Sequence, residues 1–232
     1  MDKIELLKSE YENKKDRINE RLLQFEKFFN EPVSWHYAGN EMKLLNVQTN
    51  EDSRIFEELA FCIFTANTSA EMGMKAVDAI RNVLITGNAD DMTRRLEGIY
   101  RFVNVRPAHI IHTRAYLKNS LNFELKKKIL SFKDKNELRD FFALNKDVKG
   151  LAYKEASHFL RNIGFKGYAI LDKHIINSLQ EFGVLQTNDK PKNAKDYLEI
   201  EQKFIDFSRQ IGIGMDEMDL LLWSRKNGRI LK

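Results

Sequence analysis

Apolar residues return at helical spacing along almost the entire chain, and this periodicity limits the fold more than any other feature. Over residues 3–30 the stripe runs Ile4, Leu7, Tyr11, Ile18, Leu22, Phe25 and Phe29, in steps of three, four or seven. Lys14 and Lys15 interrupt it, so the middle of this amphipathic helix is expected to be solvated. Glu31-Pro32 should end it, because a residue before proline is pushed out of the helical region. Only three prolines and 11 glycines occur in 232 residues. Long helices joined by short turns suit that supply, whereas a β-sandwich needs more turn residues.

Residues 33–50, with Trp35, Tyr37 and Asn40, alternate loosely and fit a turn or a short strand pair. From Ser53, a plausible cap, Phe56, Leu59, Ala60, Ile63 and Phe64 resume helical spacing. The run Thr65-Ala66-Asn67-Thr68-Ser69 breaks that helix, and Thr68 or Ser69 can cap the next one through Met74, Val77 and Ile80. Further helices are expected over 91–102, 107–119, 122–131, 135–144, 194–211 and 216–226. There is no internal repeat and no low-complexity segment. The fold class is all-α, divided into a helix and connecting segment at 1–50 and a core at 51–232.

Charge and cysteine content remove several function classes. One cysteine, Cys62, excludes an intramolecular disulfide framework, a four-cysteine iron–sulfur cluster and a cysteine-rich zinc site. It lies in the apolar run Leu59–Phe64 and reads as a buried, inert thiol. The net charge of +4, from 38 basic and 34 acidic residues, permits a nucleic-acid ligand without requiring one. The charged start Met1-Asp2-Lys3-Ile4-Glu5 lacks a signal-peptide hydrophobic region, and no stretch approaches a membrane span. A cytoplasmic, intracellular protein with no membrane partner is the expectation. His36, His109, His112, His158 and His174 form no metal-ligand pattern, and none is assigned a catalytic role. His174, beside Asp172, is a candidate pocket-wall residue.

The most informative stretch is residues 148–164. It opens with a turn around Gly150 and continues as a helix with Ala156, Phe159, Leu160 and Ile163 on one side, ending at Gly164. A helix, a glycine turn and a second helix can present backbone N–H groups to a phosphate oxygen, a contact that reads no sequence. Lys154 falls in the first turn of the second helix, and Asp172 lies 18 positions on at the start of the next. Two neighbouring helix starts can converge on one cleft. The helix dipole opposes a positive charge there, and an amine is a nucleophile only when neutral. On spacing alone, an N-cap is the default reading of Asp172 and solvated surface the usual one of Lys154.

The segment Gly150-Leu151-Ala152-Tyr153-Lys154-Glu155-Ala156, with Leu171-Asp172-Lys173-His174-Ile175, resembles the helix-hairpin-helix DNA glycosylase superfamily. Within it, the chain is similar to the type 2 8-oxoguanine DNA glycosylase/AP lyases. Phe61 through Ala70, Arg101 through Arg106, and Met218 through Lys232 share that resemblance, which runs from residue 50 to the end. The superfamily's hairpin is glycine, apolar, glycine; here Ala152 takes the second glycine's place, and alanine enters the left-handed region reluctantly.

The resemblance implies two helical subdomains around a cleft, with a hairpin at Lys149, Gly150 and Ala152 that holds double-stranded DNA. It implies a flipped 8-oxoguanine nucleotide, attack on C1′ by Lys154, and support from Asp172 for positive charge on the sugar. No metal or organic cofactor is needed, and a monomer suffices. It further implies that Lys232 tells 8-oxoguanine from guanine through its terminal carboxylate; Trp223 and Phe102 are aromatic candidates for sandwiching the base, with plain core packing as the alternative for both. Alternatives are a superfamily member of other base specificity and a silent DNA-binding module. The pair Lys154 and Asp172 argues against the module, which needs neither.

Overall fold

Helix α2 (Glu51–Thr65) organises the fold, because it is buried on every side, as expected of a helix enclosed by others. The computed structural model describes residues 2–38 and 41–232. Before α2 come α1 (Lys3–Asn30) and a strand pair, β1 (Val33–Ala38) with β2 (Glu41–Asn46). After it come α3 (Ala70–Ile80), α4 (Ala89–Leu96), α5 (Val105–Leu121), α6 (Leu125–Leu130) and α7 (Lys135–Ala143). The chain continues through α8 (Tyr153–Asn162), α9 (Lys173–Glu181), α10 (Ala194–Ile211) and α11 (Met215–Asn227). Among the described residues the architecture is all-α apart from that one pair of antiparallel strands, in which Trp35 pairs with Leu44. Asn40, part of the expected turn between the strands, lies outside the described residues.

α2 packs against α3, α5, α6 and α8. Its cap is Asn50, not Ser53: the Asn50 side chain accepts from the Ser53 N–H at 2.8 Å. Asparagine caps as well as serine, so the helix starts three residues earlier than its apolar stripe suggests. Ser69 does cap α3, accepting from the Met72 N–H at 3.1 Å. Arg54 of α2 is buried but paired, donating to the carbonyls of Phe28 and Val33 at 2.8 and 2.7 Å.

α1 lies against α11, α8 and β1. Its Leu7, Tyr11, Ile18, Phe25, Phe28 and Phe29 are buried in one continuous apolar cluster with the core of α2 and α8. Gly164, at the end of α8, allows that approach; a Cβ there would stand 2.9 Å from the Phe25 carbonyl oxygen.

Two helices are shorter than their apolar patterns. The one expected over 91–102 ends at Leu96, and Gly98 takes φ +73° two residues later. The one expected over 122–131 begins only at Leu125, because Asn122 and Phe123 adopt φ of +49° and +60° at the close of α5. Left-handed backbone cannot continue a right-handed helix. Among the described residues, no helix is long and apolar enough to cross a membrane.

Candidate active site

The turn between α7 and α8 places the candidate nucleophile. Gly150 has φ +86°, and a Cβ on it would lie 2.8 Å from His109 Nδ1, so glycine is required on both counts. Ala152 has φ −110° and ψ −170°, extended backbone open to any residue. The loss of the second hairpin glycine therefore carries no strain. The Lys149 N–H donates inward to Thr113 Oγ1 at 2.8 Å, which ties the hairpin to α5. Glu155 closes the start of α8 by accepting from the Ala152 N–H at 3.3 Å.

Lys154 and Asp172 stand on the shared wall of two adjoining cavities. The first, of about 490 Å³, is closed by His158 and Arg161 of α8, Asp219 and Trp223 of α11, and Lys232. That volume is in the range of small-molecule sites and admits a nucleobase with its sugar. The second, of about 570 Å³, opens past Ala152 and Tyr153 towards Lys190 and Lys192. Asp172 is the N-cap of α9 and a cavity residue at once. Its Oδ1 accepts from the N–H groups of His174 and Ile175 at 2.8 and 2.9 Å. The Lys154 ammonium pairs with Glu155 Oε1 at 2.9 Å, a partner the sequence reading did not anticipate.

Lys232 reaches the cavity wall fully buried. Its Nζ lies 2.5 Å from Glu58 Oε2 and 4.0 Å from the centre of the Phe61 ring. Asn162 donates to the other Glu58 oxygen at 2.7 Å. Burial lowers the Lys232 pKa while Glu58 opposes that shift. His158 is driven well below its ordinary value by burial and by the cations Arg161, Lys154 and Lys232, so it is neutral at pH 7; its ring is hydrogen-bonded to the Lys232 backbone. Burial pushes Asp219 up to about 7, against the pull of Arg161, which donates to it at 3.1 Å. The Cys62 thiol is buried and pushed well above its ordinary value by burial, which makes it inert.

Of the residues singled out in the sequence, Lys154, Asp172, Trp223 and Lys232 share one cavity. Phe102 does not line it. Instead the guanidinium groups of Arg101 and Arg106 lie over its ring, at 4.4 and 5.4 Å, and its ring meets that of Tyr100 edge-on. Those arginines donate to the carbonyls of Asn67 and Ala66, bracing the turn between α2 and α3. Lys149, Gly150 and Ala152 form the hairpin, and Ala152 also borders the second cavity. Sequence reasoning missed Glu58, Glu155, Asp219 and the wall role of His158. The only signal for Glu58 was a carboxylate on a strongly apolar helix, a position that demands a partner. Among the described residues, no group of three or more histidine, cysteine, aspartate or glutamate side chains is placed to hold a metal ion.

Residues 39–213, well over half of the chain, match the 8-oxoguanine DNA glycosylase family with its helix-hairpin-helix element. The chain belongs to that family. The 8-oxoguanine DNA glycosylase/AP lyase of Korarchaeum cryptofilum is 38% identical over 182 residues, 78% of this chain and 84% of that protein. The enzyme of the same name from Methanocaldococcus jannaschii is 33% identical over 231 residues, 99% of this chain and 98% of that one. The latter likeness takes in α1, which lies wholly before the matched family region. The crystal structure of the M. jannaschii enzyme in complex with a 15mer DNA containing 8-oxoguanine superposes with a TM-score of 0.80 at 30% identity, covering 98% of this chain and 99% of that one. A family member with this all-α architecture is a DNA glycosylase/AP lyase, an enzyme of DNA repair.

Proposed function

We propose that this chain excises 8-oxoguanine from double-stranded DNA as a monomer and then cuts the strand, with Lys154 as nucleophile and Asp172 as its carboxylate partner. The observation that supports this is the convergence of the starts of α8 and α9. It puts an amine and a fixed carboxylate on the wall of a cavity large enough for an extruded base. The reaction class needs no metal.

The hairpin Lys149-Gly150-Leu151-Ala152 docks against a phosphate through the free N–H groups at the start of α8. The damaged nucleotide leaves the stack, since its glycosidic carbon is unreachable in the duplex. Lys154, having lost a proton, attacks C1′; the C1′–N9 bond breaks and its electron pair leaves with the base, which takes up a proton. Asp172 stabilises the positive charge that develops on the sugar. Its backbone cap holds Oδ1 in place, so no reorganisation is needed at that moment. The amine loses its second proton, its lone pair forms the C1′=N bond of a protonated Schiff base, and the C1′–O4′ bond breaks with its electron pair going to O4′, which takes up a proton. That cation acidifies C2′–H, and loss of this proton expels the 3′ phosphate by β-elimination. Trp223 supplies an apolar wall for the base. The Lys232 backbone, oriented by the neutral His158 ring, is an acceptor suited to the N7–H of 8-oxoguanine and repelled by N7 of guanine.

Incubation with an 8-oxoguanine duplex and borohydride tests the proposal. The wild type should yield a covalent adduct on Lys154, and Lys154→Gln should yield none while still binding DNA. An adduct retained in Lys154→Gln would assign the nucleophile to another amine.

A further inference from the structure

We infer that Glu155 couples docking of the hairpin on a DNA phosphate to release of the Lys154 amine; the inference rests on Lys154 being the nucleophile. One carboxylate makes both contacts. Its Oε2 accepts from the Ala152 N–H at 3.3 Å, and its Oε1 pairs with Lys154 Nζ at 2.9 Å. The first hydrogen bond is at the long end of the usual range and yields readily to a stronger acceptor. Ala152 is exposed, and beside it the N–H groups of Tyr153 and Lys154, in the first turn of α8, have no backbone partner within the helix.

A phosphate arriving at this helix start acts on Glu155 in two ways. It competes for the Ala152 N–H, and its charge repels the neighbouring carboxylate. Either effect turns Glu155 away and unpairs Lys154. Asp172 cannot take over the holding role by moving, because Oδ1 is tied to two backbone donors of α9. The freed amine is then the mobile member of the pair and moves towards the sugar. Without DNA the amine stays clamped, and a reactive lysine is shielded from stray aldehydes. Glu155 is thus a positioning residue whose state reports whether DNA is engaged.

Glu155→Gln separates the two contacts, because its amide oxygen still accepts from Ala152 while the ion pair is lost. Reductive amination with cyanoborohydride, mapped at Lys154 by mass spectrometry, is run with free 2-deoxyribose and with an abasic duplex. Loss of a partly exposed ion pair should raise labelling by free 2-deoxyribose about fivefold, and the gain on the duplex should be distinctly smaller, since its phosphate already displaces Glu155. Equal gains on both substrates, or none on the free sugar, would overturn the coupling. Wild-type labelling by free 2-deoxyribose should also rise when inorganic phosphate replaces chloride at matched ionic strength; a flat response overturns it as well, whatever the fold of the variant. Failure of the wild type to label at Lys154 on the abasic duplex would instead sink the assignment of the nucleophile.

Discussion

Lys232 and Glu58, 174 residues apart in sequence, form a buried ion pair with Nζ 2.5 Å from Oε2, at 1% and 3% side-chain exposure. The pair joins the end of the described chain to the centre of α2 and lies behind the cavity that holds Lys154. Removing one partner strands a buried charge, which costs about 3–5 kcal/mol. Glu58→Gln should therefore lower stability by roughly that amount in urea unfolding. The double variant Glu58→Gln with Lys232→Met should recover part of the loss. Additive losses would mean that the two side chains are not coupled.

Asp172→Asn distinguishes a helix cap from a catalytic partner. Asparagine caps a helix as well as aspartate does, so the thermal midpoint should stay within a few degrees. Single-turnover excision should fall by about 100-fold or more, since a neutral amide stabilises developing positive charge poorly. Near wild-type excision would leave Asp172 with the capping role alone.

Asp219 gives a pH signature of stability. Its ordinary value is 3.8, and burial raises it to about 7 in the folded protein. Between those values the folded state holds a proton that the unfolded chain has released. Stability therefore falls as pH rises through this window and levels off above 7. His158, depressed by burial, works in the opposite sense: its contribution is present above 6.5 and lost as pH falls towards its folded value. Asp219→Asn keeps one acceptor oxygen, enough for Arg161 or for the Ile170 N–H but not for both, so it also lowers stability at every pH. It should make the slope of unfolding free energy between pH 4 and 7 more positive, by at most about 1.4 kcal/mol per pH unit. An unchanged slope in denaturant titrations across that range would show that Asp219 does not hold the proton.

α1 braces the segment that carries Lys232. Arg21 donates to the Ile230 carbonyl at 3.2 Å and lies 5.0 Å over the Trp35 ring, with its pKa lowered to about 10 by burial. Arg21→Met keeps most of the apolar packing and removes the donor. The excision ratio of 8-oxoguanine to guanine should drop by about tenfold, the equivalent of one hydrogen bond to a charged group, with less effect on the trapping of an abasic site. A ratio equal to wild type would confine Arg21 to packing.

The sequence by itself determined where most of the helices run and which residues stand at their starts. α1 over 3–30 and α10 over 194–211 match their apolar stripes end to end, because a helix pattern repeats within three or four residues and needs no distant partner. The start of α8 at Lys154 and the cap of α9 at Asp172 were legible for the same reason: caps and glycine turns act on neighbouring backbone. Only the tertiary structure decided which of these residues meet. It brought Trp223 and Lys232 to the cavity of Lys154 and left Phe102 outside, in contact with Arg101 and Arg106. It also joined Glu58 to both Asn162 and Lys232, across 104 and 174 residues. A buried charge must find a partner, but the rule does not say which one. That choice belongs to the packing of α2 against α8 and of the tail against α2, where apolar burial sets the geometry and the polar groups pair with whatever it brings near.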